Sequence, residues 1–485
     1  MEKKNMKKPN ILMIMTDQHR FDAVSYLNHH LKLTPNLDQV AEDSVVFTNA
    51  YTPAPTCGPA RASLQTGMYP PGCGVVENLS AVRPGTQFMN ERLLAQGYDT
   101  GLSGKLHFSP PDKSYGFNYK NLHDAPYSVY GDEDKDSLYI KWLKEEYFNE
   151  KGIDPVEIFD EDELAIESNI YQFIMGSGFR TEVEHDTPWT VDGAIDFLEQ
   201  RDKDKPFFLM TSFFGPHHPY LPPAPWDTLY DPDQIELPAN FYADMSNNPV
   251  FAAKGAAMSA RLKKTFTEEK YKEMIAANYG QITMIDHYIG KLIEYLKENN
   301  LYEDTVVIFT SDHGDHLGSY GLFFKTHMYD SCCKMPLFIK PANGKEHMEV
   351  KEEVVNSLDL YGTILDLAGD SEWQKEGIES KSLVKLVDGI EEEWDNTTYS
   401  IIGNKTETAN MMMRKGKYKI IRLQRGKDEP LYELYDLEAN EAETINIYET
   451  IEADTKNELK QGIDDWAKMQ LECYPTEIVS YRKLV

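Results

Sequence analysis

The chain has few cysteines: Cys57, Cys73, Cys332, Cys333 and Cys473. Their number is odd and no Cys-x-x-Cys spacing occurs, which excludes a regular disulfide framework. The adjacent Cys332 and Cys333 read as core residues rather than a redox pair. A basic surplus is also missing. Lys and Arg total 49 against 80 Asp and Glu, a formal net charge of -31. Binding to a nucleic-acid backbone is excluded, since there is no cationic excess to release counterions. An anionic membrane surface is equally unsuitable as a partner. No apolar window reaches transmembrane length. The short run Ile11–Met15 behind a basic start is too brief for a signal-peptide core, so the expected location is cytoplasmic. Internal repeats and low-complexity segments are absent too. A small anionic substrate remains open to such a chain, but only in a locally positive pocket.

What is present is length and a regular alternation of elements. At 485 residues the chain suits one large and one small domain. Residues 9–16 are almost wholly apolar and read as a strand buried on both faces, as in a parallel sheet. Residues 98–103, 206–213 and 305–310 read likewise. Helices are expected over 37–46, 91–96, 190–201 and 270–299. This pattern predicts an α/β domain with a mostly parallel central sheet flanked by helices, spanning 1–375. An acidic, aromatic stretch over 123–185 reads as an insertion that carries specificity or forms a solvated lobe, with a helix near 137–148. Residues 376–485 read as a small C-terminal α+β subdomain. It combines an antiparallel sheet from segments near 411–414, 418–422 and 431–437 with a helix over 455–469.

The chemistry concentrates at 52–70, where Thr52-Pro53-Ala54-Pro55-Thr56-Cys57-Gly58-Pro59-Ala60-Arg61 contains Cys-x-Pro-x-Arg. Pro59 suits the first turn of a helix, which puts Cys57 at its positive end. Arg61 lies one turn on and can reach back. Asp17-Gln18 follows the first strand and Ser311-Asp312-His313-Gly314 a later one. Ligands collect beyond the carboxyl ends of strands in open α/β sheets. Two Asp at two strand ends, with Gln18 and His313, suit a divalent metal. Basic groups recur after other strands, as Gly104-Lys105-Leu106-His107 and Pro216-His217-His218-Pro219, and Lys325 lies in Phe324-Lys325-Thr326-His327-Met328-Tyr329. Each is by itself as consistent with a solvated lysine or a structural histidine as with a site residue.

Taken together and in order, these segments resemble type I, formylglycine-dependent sulfatases of the alkaline-phosphatase-like superfamily. Thr66-Gly67-Met68-Tyr69-Pro70 is similar to the extension of the Cys57 signature, and Tyr435-Asp436-Leu437 to a segment of the family's C-terminal subdomain. The resemblance runs from Pro9 to about Asn446. It implies a sulfuric ester hydrolase whose Cys57 is converted to formylglycine by a maturation enzyme. One divalent cation, calcium with manganese as the alternative, would be held by Asp17, Gln18, Asp312, His313 and the modified Cys57. A hydrate hydroxyl at 57 would attack sulfur. His217 and Lys325 would bind the sulfate and protonate the leaving oxygen. His107 would take the proton that regenerates the aldehyde, while Lys105 and Arg61 hold the hydrate.

Two departures stand out. Many family members have a second Asp where this chain has Gln18, and an Asn where it has His313. The Asp-Gln and Asp-His combination also resembles phosphonate monoester hydrolases and other phosphodiesterases of the superfamily, which is the alternative function. The substrate alcohol is not named by the sequence, although a sulfated carbohydrate or aryl sulfate is expected. Tyr127, Tyr130, Trp189, Tyr220 and Trp226 read either as subsite aromatics or as core.

Overall fold

The structure is a computed structural model that describes residues 8–27, 29–111, 113–124, 138–143, 145, 170–175, 181–375, 377–390, 393–403 and 408–473. Its central strand is β1 (Asn10–Thr16), every residue of which is buried. Side chains alternate across the strand, so it feeds two cores. Ile11, Met13 and Met15 enter one hydrophobic cluster, and Leu12 and Ile14 enter another. That double burial explains the unbroken apolar run.

The remaining strands of this sheet are β2 (Val45–Tyr51), β3 (Asp99–Gly104), β4 (Tyr119–Leu122), β5 (Phe207–Ser212), β6 (Thr305–Ser311), β7 (Leu337–Lys340) and β8 (Glu349–Asn356). They lie in the order β4-β3-β5-β1-β6-β7-β2-β8. Strands β4, β3, β5, β1 and β6 run parallel, β7 is antiparallel to both neighbours, and β2 and β8 pair in parallel. Parallel pairing aligns the carboxyl ends of β1, β3, β5 and β6 on one edge. Met15 pairs with Ser212 and with Thr310, which brings the residues after these strands together.

Helices cover both faces. The first is α1 (Pro35–Ala41), followed by α2 (Cys57–Thr66), α3 (Met89–Ala95), α4 (Asp186–Gln200), α5 (Pro249–Lys254), α6 (Glu268–Glu298) and α7 (Asp359–Leu367). Ile285, Ile289, Leu292 and Leu296 of α6 join the cluster of Leu12 and Ile14. Leu360, Ile364 and Leu365 of α7, with Ala62 and Leu64 of α2, join that of Ile11 and Met13. The helix expected over 37–46 ends earlier, at Ala41, and the chain enters β2 at Val45. The β-branched pair Val45-Val46 gains more from ladder pairing with β7 and β8 than from another helical turn.

The C-terminal part forms a four-stranded antiparallel sheet of β9 (Thr397–Gly403), β10 (Thr408–Lys415), β11 (Tyr418–Arg425) and β12 (Leu431–Asp436), in the order β12-β11-β10-β9. Helix α8 (Ala453–Cys473) packs Leu459, Ile463 and Trp466 on Met411, Met413, Ile420 and Leu434. Met412, Ile421 and Tyr435 point the other way, into a cluster with Tyr51 and Tyr329 of the large domain. The fold class is thus the one read from the sequence. Within the expected insertion, a short helix is described at Leu138–Trp142, with Tyr139 and Ile140 buried. Tyr127 and Tyr130 lie outside the described residues.

Two glycines have identifiable reasons. Gly67 ends α2 at φ 69°, and a Cβ there would lie 2.7 Å from the Tyr361 ring. Gly104 ends β3 at φ 100°, and a Cβ there would fall 1.9 Å from the Ser212 carbonyl oxygen. Only glycine lets Lys105 turn out of the sheet against β5. Gly104→Ala is expected to lower stability by about 3 kcal/mol, measured as a drop in urea midpoint at unchanged m-value.

Candidate active site

The carboxyl edge of the sheet carries a dense set of buried polar groups. Asp17 follows β1, Lys105 follows β3, and Asp312-His313 follows β6, all essentially without solvent contact. Cys57 is the first residue of α2, and all ten residues of that helix are buried. No side chain caps its N-terminus at Thr56, and the amide of Gly58 donates instead to Asn78 Oδ1 at 2.9 Å. The positive end of the helix therefore points at position 57.

Arg61 ties this region together. Its Nε donates to Asp312 Oδ2 at 2.9 Å and one terminal nitrogen to Asp17 Oδ2 at 3.0 Å. The other terminal nitrogen donates to the Lys105 carbonyl at 3.0 Å and to Ser212 Oγ at 2.8 Å. The Lys105 ammonium sits 2.8 Å from the same Asp17 oxygen and 4.5 Å above the Phe214 ring.

Around the Cys57 sulfur, Lys325 Nζ lies at 3.1 Å, His313 Nε2 at 3.3 Å and Asp17 Oδ1 at 3.6 Å. His107 and His217 interact with it as well. Lys325 Nζ also donates to Gln18 Oε1 at 2.7 Å. Asp17, His313 and Lys325 thus meet around one atom, with Gln18 held by Lys325 and with Arg61 and Lys105 on the adjoining carboxylates. That atom is the encoded thiol sulfur, and it stands where an oxygen of a modified residue would be.

The electrostatics favour an anion there. Burial raises the Cys57 thiol, but the charges of Lys105, Lys325 and His313 outweigh it and hold the group well below the usual thiol range. Burial and the Cys57 charge raise Asp17, yet Lys105, His217 and Lys325 keep it far below the usual carboxylate range. Asp312 is shifted the opposite way, by burial and then by the Asp17 charge. Burial, with the charge of Lys325 next, brings His217 down to about 4, so its imidazole is neutral at pH 7 before an anion arrives.

The donor atoms of Asp17, Cys57, Asp312 and His313 lie within 4.8 Å of one another, all buried. Two carboxylates and an imidazole converging on one point fit a divalent cation. Gln18 completes the set in orientation rather than by contact. Its Nε2 donates to Asp315 Oδ2, which turns its Oε1 toward Lys325 and the sulfur.

Several residues here were not anticipated. Asp315 accepts from Gln18, from Tyr220 OH at 2.8 Å, and from the amides of Leu317 at 2.7 Å and Phe324 at 2.9 Å. It fixes both the Gln18 amide and the loop that carries Lys325. Its position directly after Ser311-Asp312-His313-Gly314 is the signal that would have found it. Asp124 Oδ1 accepts from the amides of Leu106 and His107 at 2.9 and 2.6 Å, orienting His107. Asn78 and Ser212 complete the frame. Tyr220 serves Asp315 and is buried, while Trp226 packs on His287 of α6 at a 5.3 Å ring separation. Trp189 joins Tyr139 and His123, whose ring lies 5.5 Å from Phe214.

Lys325 is anchored from behind as well. Five residues on, Asp330 pairs with Lys419 of β11 at 2.7 Å and accepts from Tyr51 OH at 3.0 Å. Lys419 also pairs with Glu443 at 2.7 Å, and all of these side chains are buried.

Residues 9–370 match the family model described as Sulfatase, and residues 318–469 match the one described as N-sulphoglucosamine sulphohydrolase, C-terminal. An arylsulfatase of Clostridium perfringens is 31% identical over 474 residues, covering 94% of this chain and 92% of that protein. The N-acetylglucosamine-6-O-sulfatase of Bacteroides thetaiotaomicron is 25% identical over 539 residues, covering 98% and 89%. Among solved structures, the phosphonate monoester hydrolase from Silicibacter pomeroyi superposes with a TM-score of 0.75 at 23% identity, covering 96% of each chain.

Replacing Arg61 by Met leaves two buried carboxylates without their shared cation. A loss of about 3–5 kcal/mol is expected, read from chemical denaturation of the purified variant.

Proposed function

The chain belongs to the sulfatase family and hydrolyses sulfate esters; we propose that it does so through an aldehyde hydrate made from Cys57. The observation that supports this most directly is the setting of the Cys57 sulfur, 3.1 Å from Lys325 Nζ at the N-terminus of α2. A negatively charged oxygen at that point gains from the helix end, from two lysines and from His313.

The residues then divide the work. One hydrate oxygen attacks sulfur, and the S–O bond to the alcohol breaks on the opposite side. His217 and Lys325 hold the sulfate, and His217, neutral in the resting site, becomes an acid when the anion raises its proton affinity. The leaving oxygen takes the proton. His107, aimed by Asp124, accepts the proton of the second hydroxyl, the C–O bond to sulfate breaks, and the aldehyde re-forms. Water then restores the hydrate. A serine or thiol lacks the second hydroxyl, and so lacks this exit. Lys105 and Arg61 keep the neighbouring carboxylates in place throughout.

Asp17, Gln18, Asp312 and His313 would hold one divalent cation, calcium by preference, with manganese the alternative that the imidazole donor suits. When bound, such an ion supplies Lewis-acid stabilisation of negative charge on oxygen. For the substrate we favour a sulfated carbohydrate. The N-acetylglucosamine-6-O-sulfatase relative supports this, whereas His123, Tyr139 and Phe214 are buried and pack on one another as core. The Asp-Gln and Asp-His set keeps a phosphonate monoester hydrolase as the second reading.

Three measurements test these assignments. Intact mass of protein made with a maturation enzyme should fall by about 18 Da at Cys57, the difference between a CH₂–SH group and an aldehyde; an unshifted, fully active protein would exclude the aldehyde. Chelation should reduce kcat at least 100-fold, and re-addition of calcium or manganese identifies the ion by which restores it. Turnover of 4-nitrophenyl sulfate should exceed that of a phenylphosphonate monoester; the reverse by orders of magnitude would favour the second reading.

A further inference from the structure

Lys254, the last residue of α5, is half-buried beside the loop that carries Lys325. Its Nζ has one contact, the Thr326 carbonyl oxygen at 3.4 Å, a long hydrogen bond for an ammonium. Among the described residues it forms no ion pair and lies over no aromatic ring. Other withdrawn lysines are better provided for. Lys340 donates to the carbonyls of Tyr302 and Thr305 at 3.0 and 3.3 Å and lies over the Tyr302 ring. Lys263 donates to the Phe241 carbonyl at 2.6 Å and lies over that ring. In a chain with 80 carboxylates and 49 Lys and Arg, an ammonium left without a carboxylate on this side of the molecule stands out.

Its place in the site is well defined. Thr326 follows Lys325, and its amide donates to the carbonyl of Pro55, two residues before Cys57, at 3.2 Å. Thr326 holds φ 80° and Phe324 φ 72°, so the backbone carrying Lys325 and the Lys254 contact is locked in an unfavourable conformation. Lys325 and His217 are also half-buried, and Lys254 reaches the backbone one residue from Lys325. Burial lowers the Lys254 ammonium, and no neighbouring charge offsets this, so a ligand anion would relieve it.

We propose that Lys254 is a specificity-determining residue that binds a second anionic group of the substrate, a carboxylate or a second sulfate, outside the sulfate held at Cys57. This rests on the sulfate-ester function above and narrows it to multiply charged substrates. The net charge of -31 repels such molecules, which an unneutralised lysine beside the Lys325 loop counters locally.

The test compares the wild type with Lys254→Met and Lys254→Arg, each matured and checked by intact mass. The probes are 4-nitrophenyl sulfate, glucosamine carrying N- and 6-O-sulfates, and glucuronic acid 2-sulfate. The ratio of kcat/KM on a doubly charged probe to that on 4-nitrophenyl sulfate should fall about tenfold in Lys254→Met, mainly through KM, and largely persist in Lys254→Arg. A fall confined to the disulfated amine identifies sulfate as the second group, and one confined to the uronate identifies carboxylate. An unchanged ratio on both, or a wild type that prefers neither, overturns the proposal. Wild-type turnover of no sulfate beside hydrolysis of a phenylphosphonate monoester would overturn the sulfatase reading itself.

Discussion

The structure depends on one guanidinium. Arg61 donates four hydrogen bonds, each to a different neighbour: the carboxylates that follow β1 and β6, the carbonyl after β3, and the hydroxyl that ends β5. Two buried carboxylates side by side would repel, and each alone would bear a large desolvation cost. The planar fork of Arg61 offsets both while fixing their separation. Because Arg61 belongs to α2, the same contacts hold Cys57 over the gap between the strands. The separation of the two carboxylates and the placing of position 57 are thus tied to one side chain.

Much of this was readable along the chain, and the reason is the sheet. Parallel strands buried on both faces leave long apolar runs, so β1, β5 and β6 announce themselves. Polar residues directly after such runs must lie on the carboxyl edge, which is why Asp17, Lys105, Asp312 and His313 were legible. Cys57 and Arg61 are local to one helix turn. The supporting groups were harder. Asp124 acts through contacts whose partners are many residues away and nothing in its neighbourhood marks it, while Tyr220, read as a subsite or core aromatic, serves instead as a donor to Asp315. Asp315 had a signal, since it continues the Asp312-His313 segment, but its role depends on Gln18 coming to it across the sheet. The ends of α1 and β2 were misjudged because β-branched residues after a helix leave the boundary to tertiary pairing.

The backbone at the site is strained at several points. Gln18, His107, Phe324 and Thr326 all have positive φ without being glycine. Such residues cost about 1–3 kcal/mol each and persist only where the surroundings over-determine them. Here the over-determination is visible. Asp124 grips the backbone at His107, Asp315 grips Phe324 and the Gln18 side chain, and Pro55 receives the Thr326 amide. The strained residues carry or flank the side chains that converge on position 57, so the strain is a cost of aim.

The pairing of Asp330 with Lys419 has a consequence for how the molecule comes into being. Asp330 closes the segment bearing Lys325, and its cation arrives from a strand almost ninety residues later, with Glu443 buried on the same ammonium. Until β11 is in place, Asp330 lacks its 2.7 Å partner and has only Lys334 of its own segment as a nearby positive charge. The ion pair therefore ties the antiparallel sheet to the segment that carries Lys325. That edge of the site is complete only once the last quarter of the polypeptide docks.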